Sequence, residues 1–157
     1  MNRVIPGLCM AAGWLLLLFA GNVQLFWAFA LVGTILALHE FFRMVIPALT
    51  GVRLFATIGS CLFPVLGAFW GSCDVVLGGV FASLLLVVAI SLHGFGKMED
   101  LLRYATSSGF ALIYIALCLA HMVLIRHLPQ GAFWLTMLVG IVAGSDTGAY
   151  YAGRAFG

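Results

Sequence analysis

The chain has 157 residues, of which 64% are hydrophobic and only 8% charged, with a formal net charge of +2. A soluble domain carries about 25% charged residues. This composition excludes an ordinary soluble enzyme, a disordered regulator and a nucleic-acid binder with a basic face, and it leaves an integral membrane protein.

Crossing a bilayer as a helix takes roughly 17–25 apolar residues, and six stretches qualify in chain order. They run from Val4 to Ala20, Val23 to Phe42, Leu54 to Gly71, Val75 to Leu92, Ser107 to Ile125 and Leu128 to Ser145. Each is expected as a helix, because hydrocarbon offers no partner to an open backbone group. Runs such as Leu84-Leu85-Leu86-Val87-Val88 do not alternate as barrel strands do. Arg3 before the first run and Ala20 after it imitate a secretory signal, but the run is long for one and five more follow. Between the fourth and fifth spans, Met98 to Tyr104 is expected to form a short surface helix. Leu101 and Leu102 would face lipid, and Glu99, Asp100 and Arg103 would face water. The fold class is all-α: a polytopic membrane protein of about six transmembrane helices, with residues 1–157 as one domain.

The loops alternate in charge. Arg3, Arg43, Arg53, Lys97, Arg103 and Arg154 fall on one side of the membrane and only Arg126 on the other. The positive-inside tendency makes the first side cytoplasmic and places both chain ends there, and an even number of spans gives the same parity. Cys9, Cys61, Cys73 and Cys118 lie far apart in apolar context and read as neither a disulfide frame nor a zinc site. His39, His93, His121 and His127 have no metal-ligand spacing. Gly140, Gly144 and Gly148 repeat every four residues and would line one packing face.

A carboxylate in apolar sequence is expensive and needs a partner or a task. Glu40 ends the second span, where it either pairs with Arg43 one turn on or borders a polar cavity. Asp146 lies in Gly144-Ser145-Asp146-Thr147-Gly148-Ala149-Tyr150-Tyr151. In a continuous helix Asp146, Tyr150 and Arg154 share a face. Alternatively, Ser145 or Asp146 caps a new helix. An anionic substrate would not be drawn to Asp146 directly; it would need a bridging cation, for which oxygen ligands suit Mg²⁺, or contacts from Arg154.

The 13 residues from Ser145 to Gly157 resemble the Asp-[Ser/Thr]-Gly-Ala-Tyr-aromatic-x-Gly-Arg-x-Phe-Gly stretch of phosphatidate cytidylyltransferases, also called CDP-diglyceride synthases. The apolar helices, a Glu ending the second span and an Arg near the start also look like that family's N-terminal part. The resemblance implies an enzyme that takes CTP and phosphatidic acid, releases pyrophosphate and makes CDP-diacylglycerol in the bacterial cytoplasmic (inner) membrane. It implies dependence on Mg²⁺, a homodimer and no nucleic-acid partner. Asp146, Tyr150 and Arg154 match the motif's Asp, Tyr and Arg and are the expected catalytic residues.

In the family this motif runs on into a Lys-containing stretch and then a signature with Lys-Asp and Asp-Arg-x-Asp elements. The chain stops at Gly157, ahead of both. The expectation is therefore an N-terminal portion, incomplete at its C-terminus and inactive alone, with the main metal ligands beyond Gly157. The alternatives are a small transporter component, with Glu40 and Asp146 lining a polar path, or a structural membrane protein without catalysis. Transporter sites commonly sit near the midplane, and neither carboxylate is there.

Overall fold

The computed structural model describes residues 4–95 and 100–156. All regular structure among them is helical: α1 (Val4–Phe19), α2 (Val23–Val45), α3 (Gly51–Cys61), α4 (Phe63–Gly67), α5 (Cys73–Gly94), α6 (Leu101–Ala111), α7 (Cys118–His127) and α8 (Gly131–Phe156). A π-helical stretch, Leu112–Leu117, fuses α6 to α7, so Leu101–His127 is one long helix.

Four helices are long and apolar enough to cross a membrane: Val23–Val45, Cys73–Gly94, Leu101–His127 and Gly131–Ala155. The pair Gly51–Cys61 and Phe63–Trp70, bent by 40°, makes a fifth if it is one span. The six expected stretches all correspond to helical elements. Length supports four or five as spans, because α1 has only 16 residues and reaches about 24 Å.

The third stretch does not run straight, and Pro64 is the cause. Its ring removes the N–H that would bond back to the Ser60 carbonyl and crowds that carbonyl, so α3 stops at Cys61 and α4 restarts with Pro64 in its first turn. Gly71 then closes the segment in the left-handed region at φ +66°. A Cβ there would lie 2.7 Å from Nδ1 of His127.

α4 lies against α5 with the two backbones in contact. A Cβ on Gly79 would stand 2.7 Å from the Phe63 carbonyl oxygen and 2.9 Å from the Pro64 nitrogen. A Cβ on Gly67 would stand 3.0 Å from the Val75 carbonyl oxygen. Small residues at membrane helix contacts permit this approach, and van der Waals packing rewards it.

α2 is the central pillar. Its buried residues Phe26, Ala30, Thr34, Leu38 and Phe42 recur every four positions and form one stripe. Asn22 caps the helix, its side-chain oxygen accepting from the Leu25 N–H at 2.7 Å. The long helix answers with Ala111, Leu112, Ala116, Ala120 and Val123, all fully buried. The Trp27 indole N–H donates to the Val65 carbonyl at 2.8 Å and pins α4 to α2.

Three polar contacts fasten the ends. Arg126 donates through Nη2 to the carbonyls of Leu18 at 2.9 Å and Gly21 at 3.1 Å, so a cation meets the free acceptors at the end of α1. Asp100 caps α6 by accepting from the Arg103 N–H at 3.0 Å. Thr57 Oγ1 and the Tyr104 hydroxyl lie 2.9 Å apart and join α3 to α6, with both residues buried.

The expected surface helix from Met98 to Tyr104 is not a separate element. Its described part, Asp100–Tyr104, is the cap and first turn of α6, and Tyr104 faces the core. A new helix cannot lie flat here, because Asp100 starts the spanning one. Arg3, Lys97, Met98 and Glu99 lie outside the described residues.

Candidate functional site

α8 follows Gln130, which takes φ +59°, and Gly131, where a Cβ would collide with the Ile125 and Arg126 carbonyls. This tight corner turns the chain back against α7 and α1. Only the beginning of the helix is engaged. Leu135 is fully buried and Ala132 and Thr136 are half-buried, whereas every described residue from Met137 to Ala155 is exposed.

The helix continues through Gly144 without a break. That removes the alternative in which Ser145 or Asp146 caps a new helix. Ala143, Ala149 and Ala152 favour helix, and the Thr147 hydroxyl donates back to the Ala143 carbonyl at 2.7 Å, so it does not compete for a cap. Asp146, Tyr150 and Arg154 therefore sit at successive four-residue steps of one helix and share a face. The Tyr150 and Tyr151 rings meet edge to face at 5.5 Å.

At 100° per residue the glycines at 140, 144 and 148 fall roughly opposite the Asp146–Tyr150–Arg154 row. A Cβ at any of the three would meet nothing within 4 Å. The free half of α8 thus has a polar face and a smooth face, back to back. Asp146 lies about 22 Å along the axis from Gly131, and Arg154 about 34 Å, against a hydrocarbon layer of about 30 Å. With Gly131 at one surface, an upright α8 puts the carboxylate about 8 Å inside the far edge of the apolar layer and the guanidinium about 4 Å beyond it.

Glu40 is exposed on the last turns of α2, with exposed Arg43 one turn on. α2 and α8 do not pack together to any extent among the described residues. The structure therefore groups Asp146, Tyr150 and Arg154 and leaves Glu40 apart. A polar path lined by both carboxylates, as a transporter would need, is not formed among the described residues.

The cation test gives a similar result. Among the described residues no group of three or more His, Cys, Asp or Glu could hold a metal ion. Mg²⁺ asks for near-octahedral oxygen ligation. Asp146 offers one carboxylate, and the Thr147 hydroxyl is already bonded to the Ala143 carbonyl. These residues alone do not fit Mg²⁺, so no reaction step is assigned to it. Cys9, Cys61, Cys73 and Cys118 are free.

Two polar features escaped the reading of residue order. Thr57 and Tyr104 are 47 positions apart, and nothing local announces their contact. Arg126 did carry a signal, since it alone breaks the charge asymmetry of the loops. The structure explains the exception: its charge is spent on carbonyls at the end of α1.

Comparison with curated proteins finds no match, and comparison with solved structures finds none either. A sequence profile described as "Cytidylyltransferase family" matches residues 1–157, the whole length. A helical, multi-pass architecture with an acid, a phenol and a guanidinium in one row suits nucleotidyl transfer at a membrane, and the chain belongs to the cytidylyltransferase family.

Proposed function

We propose that this membrane nucleotidyltransferase uses CTP and phosphatidic acid and forms CDP-diacylglycerol in the cytoplasmic membrane of a bacterium. A phosphate oxygen of phosphatidate forms a new bond to the α-phosphorus of CTP. The bond from that phosphorus to the β-phosphate oxygen breaks, and pyrophosphate leaves. Support comes from the family assignment over the full length together with the row Asp146, Tyr150 and Arg154 on an unbroken helix.

Each residue has a part that its chemistry allows. Arg154 brings a permanent charge and paired donors that match phosphate oxygens. Tyr150 brings a hydroxyl that donates or accepts. Asp146 repels a triphosphate and works on it only across a cation or by accepting from a substrate hydroxyl. The reading also takes Arg43, Arg53 and Arg103 as marking the cytoplasmic side, where CTP is found. Arg154 at the far end of α8 belongs to that same side.

The observation that carries the site is the exposure of the row. A carboxyl group on an open helix face within hydrocarbon is costly, so this face is suited to working against polar groups and not against acyl chains. The test is CTP- and phosphatidate-dependent formation of CDP-diacylglycerol by membranes containing the protein expressed from its native gene. Activity is expected, and Asp146→Asn is expected to remove at least about 99% of it, a loss of about 2.7 kcal/mol or more in barrier terms. Absence of the product rejects the substrate assignment, and full turnover by the variant rejects the site.

A further inference from the structure

We propose that the end of the molecule where α2 stops and α3 and α6 begin is a binding surface for the phosphate of anionic membrane lipids, held by Arg43, Arg53 and Arg103. These three helices pack against one another. The hydrogen bond between Thr57, past the middle of α3, and Tyr104, in the first turn of α6, ties the two helices together. Arg53 lies one turn from Thr57, and Arg103 is the neighbour of Tyr104.

All three arginines are exposed, and their guanidiniums are uncommitted among the described residues. The bonds that involve Arg53 and Arg103 run through the backbone. The Arg53 carbonyl accepts from Thr57 at 2.8 Å, and the Arg103 N–H donates to Asp100 at 3.0 Å. Arg126, at the opposite end, gives the contrast, because its guanidinium is already bonded to the Leu18 and Gly21 carbonyls. Cations at one end therefore hold the protein together, and cations at the other are free to hold something else.

The beginning of α3 adds the positive end of a helix dipole, whereas that of α6 is already met by the Asp100 carboxylate. Thr50 makes no side-chain cap to α3, so backbone donors there remain open to an anion. The described opposing charges are Glu40 and Asp100, and Asp100 is turned inward onto its own helix. Below the arginines the surface is tight, with Thr57, Tyr104 and Ser108 buried, which keeps an anion at the rim. A ligand at this rim, beside lipid-facing residues such as Phe55 and Leu102, is a lipid headgroup with its acyl chains along the helices. Basic groups between membrane helices are suited to such headgroups.

The proposal is independent of Asp146 and of turnover, and a lipid that is not the proposed substrate tests it. The full chain in detergent is titrated with phosphatidylglycerol and, separately, with phosphatidylcholine, and bound lipid is counted by native mass spectrometry. Phosphatidylglycerol is expected to bind more tightly, and salt is expected to weaken it. The combined Arg43→Gln, Arg53→Gln and Arg103→Gln variant is expected to lose about a hundredfold in phosphatidylglycerol affinity with phosphatidylcholine binding unchanged. If the triple variant does not fold, as judged by its thermal unfolding, Arg53→Gln and Arg103→Gln singly are expected to lose about fivefold each. Equal binding of the two lipids by the unaltered chain overturns the proposal. So does unchanged phosphatidylglycerol binding by the variants. Displacement of phosphatidylglycerol by inorganic phosphate at equal concentration would make free phosphate the ligand and overturn the lipid assignment.

Discussion

The helices Leu101–His127 and Gly131–Ala155 are neighbours in sequence, similar in length and opposite in surroundings. In the first, 33% of the most apolar stretch is buried inside the protein; in the second, 6%. The first presents alanines and a tyrosine to α2, α3 and α5, and the far half of the second presents glycines and a polar row to no neighbour among the described residues. Both are helical because hydrocarbon demands it. What differs is the work left for the side chains. Those of the first hold the bundle together, while those of the second half of α8 pack against none of the described residues. Changes in the two regions should therefore separate stability from activity.

Asp146 is expected to give the largest separation. Asp146→Asn removes a charge from a face that packs against nothing among the described residues, so turnover falls by the two orders of magnitude stated above while thermal unfolding stays at the wild-type midpoint. A parallel loss of folded protein would mean that the row has a structural partner and would dissolve the contrast.

Gly79 is the counterpart inside the bundle. A Cβ there meets three backbone atoms of Phe63 and Pro64 at 2.7 to 2.9 Å. Neither helix can retreat without opening the α4–α5 contact. Gly79→Ala is expected to cost about 1–3 kcal/mol, as overpacked cores do. Thermal unfolding of the purified protein in one fixed detergent measures it. Wild-type stability would show that α4 is not held against α5 in the folded protein.

These two residues also show what residue order discloses. Hydrophobic run length placed a helical element in each of the six expected stretches, of which four or five are long enough to cross a bilayer. The motif from Ser145 onward disclosed Asp146, Tyr150 and Arg154, and four-residue spacing placed them on one face. Continuity of α8 through Gly144 stayed open, because glycine permits a break without forcing one. Pro64 was a readable breaker inside the third stretch, and there the apolar run alone was misleading. The Asp100 cap was readable too, and it outweighed the amphipathic pattern around it. Packing partners such as Gly79 against Phe63 depend on how two helices cross, which local sequence does not encode.

A smaller effect is expected where α3 meets α6. Tyr104→Phe removes one side of the hydrogen bond to Thr57 and keeps the ring that fills the core. Hydrogen bonds between membrane helices average about 0.6 kcal/mol in double-mutant cycles. The cycle Thr57→Val, Tyr104→Phe and their combination should return a coupling of about that size from unfolding measurements. A coupling indistinguishable from zero would leave α3 and α6 joined by packing alone.

The smallest effect is expected on the smooth face of α8, and it tests the contrast most closely. Gly144→Ala adds a methyl group where nothing lies within 4 Å, and alanine is a better helix former than glycine by about 1 kcal/mol in water. In hydrocarbon the unfolded alternative is already helical, so most of that gain disappears. A change within about 0.5 kcal/mol is expected, as at any site without a packing role. Gly79→Ala makes the same chemical replacement, so the pair differs only in surroundings. A loss at Gly144 as large as at Gly79 would mean that another helix lies against this face in the membrane. The glycine stripe would then be an interface, and the free half of α8 would be free on its polar side alone.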